Sequence, residues 1–73
     1  VVAYVKNAQL NIQTKGNSMK AVSVFDVRGR LIFQQSGINA ADFTAQGLSA
    51  QNQVLLVQVT SENGEVATVK VIF

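Results

Sequence analysis

The sequence predicts an all-β fold, a Greek-key sandwich of about seven antiparallel strands. Apolar residues alternate with other residues along most of the chain, for example at Val22 and Val24 and again at Leu55, Val57 and Val59. This period of two is typical of strands, and no segment has the apolar period of a helix. Turn signals that contain glycine recur about every 8 to 12 residues, as in sandwiches and barrels. The expected strands lie near residues 2–5, 9–14, 20–26, 30–35, 41–45, 53–60 and 66–72.

The register of the last hairpin is predicted by its turn at residues 62–64. A two-residue turn would pair Val57 with Lys70 and leave polar side chains on the core face of one strand. A three-residue turn, with Gly64 in the left-handed region, instead keeps that face apolar on both strands. We therefore predict the three-residue turn. The pairs that it implies are Val59 with Ala67, Val57 with Val69 and Leu55 with Val71.

The same type of turn is predicted for residues 27–29, where Gly29 takes the left-handed position. It places Asp26 opposite Arg30 as an ion pair beside the turn. It also separates two sets of apolar side chains, one for the core and one on the opposite face. The second set is a candidate contact patch for a partner, unless the chain near Phe43 covers it. The core set is Val22, Val24 and Ile32, with Val24 opposite Ile32, and the second set is Phe25, Leu31 and Phe33, with Phe25 opposite Leu31.

Residues 34–53 are predicted to carry the chain from one sheet to the other. They are mostly small and amide residues, with one short strand around Phe43. A connection of this length between two hairpins is typical of a Greek-key sandwich.

Composition argues against an enzyme. The chain has no His, Cys, Trp or Pro, whereas nucleophilic triads need an imidazole or an equivalent base and zinc sites need His or thiolate ligands. Calcium needs about six to eight oxygen ligands, and the turn at residues 62–64 offers only the carboxylates of Glu62 and Glu65. We expect no catalytic residue, no metal ion and no cofactor.

Nucleic acids and small molecules are not expected partners. Binding to a phosphate backbone needs clustered cations, and the cations of this sequence are scattered. Sugar-binding faces usually carry exposed Trp or Tyr rings, and Tyr4 is the single residue of either kind. The cations are Lys6, Lys15, Lys20, Arg28, Arg30 and Lys70.

The length of 73 residues suits one domain, and residues 1–73 are predicted to fold as a single unit. The chain does not begin with Met and has no signal-peptide pattern, which suggests a module of a larger protein. Its longest apolar run, residues 54–57, is far shorter than the stretch of about 20 residues that crosses a bilayer as a helix.

Four motifs follow one another over nearly the whole chain. They are Leu10-Asn11-Ile12, the strand and turn from Val22 to Ile32, Leu48, and the segment from Glu62 to Phe73. This ordered set resembles the type A C-terminal sorting domain of the type IX secretion system, which is found at the ends of exported proteins in the Bacteroidota. The resemblance implies an immunoglobulin-like sandwich with the strand count predicted above.

The resemblance also implies a function in secretion. A domain of this kind directs an attached cargo protein across the outer membrane, is bound by the translocon and its shuttle proteins, and is then typically removed by a sortase-like cysteine protease. It passes through the periplasm and reaches the cell surface or the extracellular space with its cargo. The alternative function is an immunoglobulin-like adhesion or polymer-binding module of a secreted protein.

The resemblance assigns roles to two sets of residues. Those implied in partner recognition are Lys70, Val71, Ile72 and Phe73. Those implied as a scaffold of turns are Asp26, Gly29, Arg30, Asn63 and Gly64. The alternative for both sets is purely structural, with the apolar residues of the last strand filling the core and the glycines needed only for positive φ.

Overall fold

The computed structural model describes residues 1–7, 9–45 and 53–72. Strands make up most of these residues. They are β1 (Val2–Lys6), β2 (Gln9–Gln13), β3 (Met19–Asp26), β4 (Leu31–Ala40), β5 (Asp42–Ala45), β6 (Val54–Ser61) and β7 (Val66–Ile72). Every predicted strand is present, with bounds that agree to within one residue except at the end of β4.

The strands form two antiparallel sheets that pack face to face. The smaller sheet has the order β1-β2-β5 and the larger sheet has the order β4-β3-β6-β7. The chain changes sheet between β2 and β3, between β4 and β5, and between β5 and β6, and these crossovers give the Greek-key connectivity. The protein is therefore an immunoglobulin-like Greek-key sandwich, and the predicted fold class is confirmed.

The core lies between the sheets and is built from aliphatic side chains. Alternate residues of β2, β3 and β6 point into it, and most of these side chains are fully buried. Burying one Val or Leu side chain contributes roughly 1.5 to 3 kcal/mol to the stability of the fold. The buried hydrophobic residues are Leu10, Ile12, Met19, Val22, Val24, Ala45, Leu55, Val57, Val59 and Val71.

The predicted register of the β6–β7 hairpin is confirmed. Gly64 has a φ of 90°, which lies in the left-handed region that favours glycine. The N–H of Ser61 donates a hydrogen bond of 2.8 Å to the carbonyl of Glu65, so the turn between them contains three residues. The cross-strand pairs are Leu55 with Val71, Val57 with Val69 and Val59 with Ala67.

The β3–β4 hairpin has the same turn. Gly29 has a φ of 87°, and the N–H of Asp26 donates a hydrogen bond of 2.9 Å to the carbonyl of Arg30. Phe25 lies opposite Leu31. These features of the turn and of the first pair beyond it are as predicted.

The predicted pairing of Val24 with Ile32 is wrong. The register shifts between Val24 and Phe25, so that Val24 lies opposite Phe33 and Ile32 has no direct partner. A β-bulge of this kind changes the face to which the following side chains point. Phe33 therefore turns towards the core, where its ring centroid lies 6.0 Å from that of Phe43. The predicted placement of Phe33 on the opposite face is also wrong, and the segment around Phe43 covers its ring.

The strand β4 continues beyond its predicted end. Gly37, which lies just beyond the predicted end of this strand, is inside β4 and has a φ of 67°. Asn39 also has a positive φ, of 52°, and the pairing with β3 shifts between Met19 and Ala21. Gly37 thus allows an irregular backbone within the paired strand and does not mark the end of the strand.

Two neighbouring leucines of β6 test the inward and outward faces of this strand. Leu55 is fully buried whereas Leu56 is only partly buried. We expect Leu55→Ala to lower the free energy of unfolding by about 2 to 5 kcal/mol, which approaches the whole stability of a domain of this size. Leu56→Ala should cost about 1 kcal/mol or less. Urea unfolding followed by circular dichroism measures both, and equal losses would contradict the assignment of the two faces.

Candidate functional site

The outer face of the four-stranded sheet carries a cluster of apolar side chains. Leu31 on β4, Phe25 on β3 and Leu56 on β6 lie side by side in one row across the sheet. Val54 on β6 pairs with Ile72 on β7 beside this row. Because neighbouring strands lie about 4.8 Å apart, the five side chains form one continuous surface, which we call the outer patch.

Alternation along the strands explains why this surface points away from the core. Leu55 and Val57 are fully buried, so Val54 and Leu56, next to them in the strand, point to the opposite face. The run from Val54 to Val57 is apolar at each of its positions. It therefore lines both faces of β6, whereas most of the other strands are apolar on one face.

The outer patch is partly open to solvent. Ile72 is 73% exposed and Leu31 is 47% exposed, while Phe25, Val54 and Leu56 are half-buried. Single exposed hydrophobic residues are ordinary on protein surfaces, but contiguous apolar patches mark surfaces that bind other molecules. The outer patch is therefore the candidate functional site.

Positive charge lies around the outer patch. Lys70 is exposed on β7 and pairs with Leu56, and Arg28 and Arg30 belong to the turn at the same end of the sheet. Glu62 and Glu65 lie at the other end, where β6 turns into β7. The described residues on the outer face of this sheet include no carboxylate. A partner with acidic as well as apolar groups would complement this surface.

The carboxylate of Asp26 holds the turn next to the outer patch. Asp26 is 3% exposed, and its Oδ1 accepts hydrogen bonds of 2.9 Å from the N–H groups of both Arg28 and Arg30. The Nε of Arg30 lies 3.3 Å from Oδ2, and the Nη2 of Arg28 lies 4.0 Å from it. Oδ2 itself makes no hydrogen bond to any of the described residues. The carboxylate is thus engaged within its own turn.

The surroundings of Asp26 lower the pKa of its carboxyl group below the ordinary value. The hydrogen bond from the N–H of Arg30 is the main cause, burial acts against it by raising the pKa, and the N–H of Arg28 and the two guanidinium groups lower it further. The charged form of Asp26 is therefore favoured by folding. The resulting stability is present above the pKa of the unfolded state, about 3.9, and is lost as the pH falls through the lower pKa of the folded state.

Asp26→Asn should lower the melting temperature at about pH 7 and have less effect below about pH 3. The amide oxygen can still accept hydrogen bonds from the turn, but the negative charge beside the guanidinium groups is lost. Thermal unfolding followed by circular dichroism at both pH values measures this. Asp42→Asn, which removes an exposed carboxylate on β5, is the matched control. A difference between wild type and Asp26→Asn that does not change with pH would contradict the role of the charge.

The turn at the other end of the sheet is held by Asn63. Its Oδ1 accepts hydrogen bonds from the hydroxyl of Ser61 and, over 3.2 Å, from the N–H of Glu65. Its Nδ2 donates a hydrogen bond of 3.0 Å to the side chain of Glu65. Side-chain acceptors thus stabilise both hairpin turns of the larger sheet.

The structure brings together some of the predicted site residues and separates others. Phe25, Leu31 and Ile72 belong to the outer patch, Lys70 lies beside it, and the turn that contains Gly29 lies at the same end of the sheet. Two predicted residues point to the core, one in β4 and one in β7. They are Phe33 and Val71. Leu48 and Phe73 lie outside the described residues.

Sequence reasoning missed two members of the outer patch, Val54 and Leu56. The signal for them was the unbroken apolar run of residues 54–57. Such a run indicates a strand with apolar side chains on both faces.

The outer face of the smaller sheet is mostly polar. Tyr4, Asn11 and Thr44 lie in one row across β1, β2 and β5. The hydroxyl of Thr44 donates a hydrogen bond of 2.9 Å to Oδ1 of Asn11, and the amide of Asn11 donates one of 3.2 Å to the carbonyl of Gln9. Tyr4 is 38% exposed. This row presents one aromatic ring beside polar groups that are already hydrogen-bonded.

The described residues contain neither a cluster of metal ligands nor a helix that could span a membrane. No group of three or more His, Cys, Asp or Glu comes together in the described ranges. In the same residues no helix has the length and apolar character needed to cross a bilayer.

One protein family matches the chain over its full length. A family model described as a domain of unknown function, DUF8694, covers residues 1–73. The chain belongs to this family. No curated protein matches the sequence. The description of the DUF8694 family names no activity.

Proposed function

We propose that the domain is a sorting signal of the type IX secretion system, which directs an attached cargo protein across the outer membrane. The order of the sequence motifs supports this proposal, and so does the sandwich fold, because the resemblance implies a fold of this kind. The observation that carries the proposal is the position of β7. This strand, which contains the residues expected to be recognised, contributes Ile72 to the outer patch and places Lys70 beside it.

The two sides of β7 have different roles in this proposal. Lys70 and Ile72 point to the outer face, where a partner can contact them together with Phe25 and Leu56. Val71 points to the core and is 8% exposed. A partner that binds the folded domain therefore contacts alternate residues of β7, and Val71 has a structural role.

The proposed partners are the outer-membrane translocon and the shuttle proteins of the type IX system. A sortase-like cysteine protease would then remove the domain from its cargo. The domain would pass through the periplasm and reach the cell surface or the extracellular space with the cargo. Recognition of this kind requires a complementary surface and no catalytic residue or cofactor.

Export of a reporter protein tests the proposal directly. Residues 1–73 are fused behind a signal peptide and a periplasmic reporter, and the fusion is expressed in a bacterium with a type IX system. We expect the reporter at the cell surface or in the medium. The same fusion in a strain without the translocon should remain in the periplasm. Retention of the reporter in both strains would contradict the proposed function.

Ile72→Ser should reduce export, whereas Val66→Ser should not. Both residues are apolar and exposed on the outward side of β7, at 73% and 57%, but Val66 lies opposite Thr60 at the end away from the outer patch. We expect Ile72→Ser to weaken partner binding roughly fivefold or more, which corresponds to about 1 kcal/mol. Circular dichroism checks that both variants fold. Equal export of the two variants would place recognition elsewhere on the domain.

The second candidate function is an immunoglobulin-like adhesion or polymer-binding module. The observation that favours it is the exposed ring of Tyr4 on the outer face of the smaller sheet, because sugar rings stack on aromatic side chains. Binding to insoluble polysaccharides, lost on Tyr4→Ala and kept on Phe25→Ala, would support this function. Absence of binding in the wild-type domain would exclude the polysaccharides tested.

A further inference from the structure

Among the edge strands formed by the described residues, β7 has the most regular unpaired edge. β1 and β5 are short, with five and four residues. β4 is longer, but its register against β3 shifts twice and it contains positive φ values at Gly37 and Asn39. β7 has seven residues, keeps one register against β6 throughout, and carries a single charge, on Lys70. Bulges, charges and short length are the usual means by which edge strands avoid pairing with other chains.

The hydrogen-bond pattern of the β6–β7 hairpin identifies the backbone groups at this edge. The pair of Ser61 and Glu65 is hydrogen-bonded. In an antiparallel ladder such pairs alternate with pairs whose N–H and C=O groups point away from each other, and the next pair is Thr60 with Val66. Within the part of the chain that the structure describes, no strand is hydrogen-bonded to this edge of β7, although β1 of the smaller sheet lies close to β7. The residues whose backbone groups face the free edge are Val66, Thr68, Lys70 and Ile72.

We propose that β7 pairs with β7 of a second copy of this chain, antiparallel and about a two-fold axis at Val69. In this register Val66 lies opposite the partner's Ile72, and Thr68 lies opposite the partner's Lys70. Each of these pairs, and its symmetry mate, brings edge-facing N–H and C=O groups together. The pairing forms about eight backbone hydrogen bonds, two for each pair, and it joins the two larger sheets into one.

The side chains favour this register over its neighbours. Edge-facing groups meet only in registers that differ by two residues, because the hydrogen-bonding pattern of a strand has that period. A shift of two residues in one direction places Lys70 opposite the partner's Lys70, and like charges directly opposite each other are destabilising. The same shift in the other direction places Val66 opposite the partner's Lys70 and leaves Ile72 without a partner. The proposed register pairs every residue of β7 and separates the two lysines.

The proposed register also covers the most exposed apolar side chains of the strand. Val66 is 57% exposed and Ile72 is 73% exposed. In the dimer, Val66 of each copy would lie against Ile72 of the other copy. An isologous contact of this kind closes on itself, so it gives a dimer and not a fibre. The dimer does not depend on the proposed sorting function, because it is a property of residues 1–73 alone.

Substitution of Thr68 tests the register as well as the dimer. Thr68 is exposed on β7, and the proposed register places it opposite the partner's Lys70. Thr68→Glu should therefore strengthen the dimer and Thr68→Lys should weaken it. Each dimer contains two such cross-strand pairs, so the dissociation constants of the two variants should differ from that of wild type by about 2- to 30-fold in opposite directions. Sedimentation equilibrium over a concentration series measures all three constants.

Controls separate charge pairing from effects on the fold. The two variants should have similar melting temperatures, and the difference between their dissociation constants should shrink in about 1 M salt, which screens charge pairs. The double variant Thr68→Lys with Lys70→Glu exchanges the charges and should dimerise as well as Thr68→Glu. Hydrogen exchange gives an independent measurement on the wild type. The N–H groups of Thr68 and Lys70 should exchange rapidly at low concentration and slowly at high concentration.

Two results would overturn the proposal. One is a monomer for both wild type and Thr68→Glu at concentrations up to about 1 mM, where even a weak specific dimer would be detected. The other is stronger association of Thr68→Lys than of Thr68→Glu, which contradicts the register. The export experiment can fail or succeed independently of the dimer. Ile72→Ser and Val66→Ser change the two residues of the same cross-strand pair, so they should weaken the dimer to the same extent. A difference in export between those two variants therefore reports on recognition of the outer patch.

Discussion

The pairing of β6 with β3 on one side and with β7 on the other is the interaction on which the remaining structure depends. Leu55, Val57 and Val59 point inward from this strand and are almost completely buried. Because side-chain direction has a period of two residues, a slip of one residue against either neighbouring strand would expose all three and bury outward residues in their place, among them Gln58 and Thr60. The turn at Gly64 prevents such a slip between β6 and β7, since it sets which residues of these two strands lie opposite each other.

The two hairpins show which parts of this fold can be predicted from sequence. For β6 and β7, one turn length places apolar side chains opposite each other on the core face, and the other does not, so the pattern alone decides the register. For β3 and β4 the pattern is ambiguous, because Leu31, Ile32 and Phe33 are all apolar and either of the last two could face the core. The contact between Phe33 and Phe43 favours the bulged arrangement. That contact joins the two sheets, and no local pattern contains it.

The candidate site was predictable to a similar extent. Phe25 and Leu31 follow from alternation and from the position of the turn, whereas Leu56 joins them only through its pairing with Phe25 across the sheet. The three-residue turn at Gly64 then brings Lys70 beside Leu56. The partner is not predictable in this way. Alternation determines which side chains share a surface, but binding depends on a complementary surface that belongs to another molecule.

The strand β7 combines a structural role with two different surfaces for other molecules. Val71 points inward, so its substitution would disturb the fold and any function together. Only substitutions of outward residues can separate an effect on function from an effect on folding. The outer patch uses side chains on the face of the sheet, whereas pairing with a second copy uses backbone groups in the plane of the sheet. In the proposed dimer the two-fold axis places the two copies of Ile72 at opposite ends of the paired strands, so the two outer patches lie apart and each remains open on one face. A dimer and a partner at the outer patch are therefore geometrically compatible.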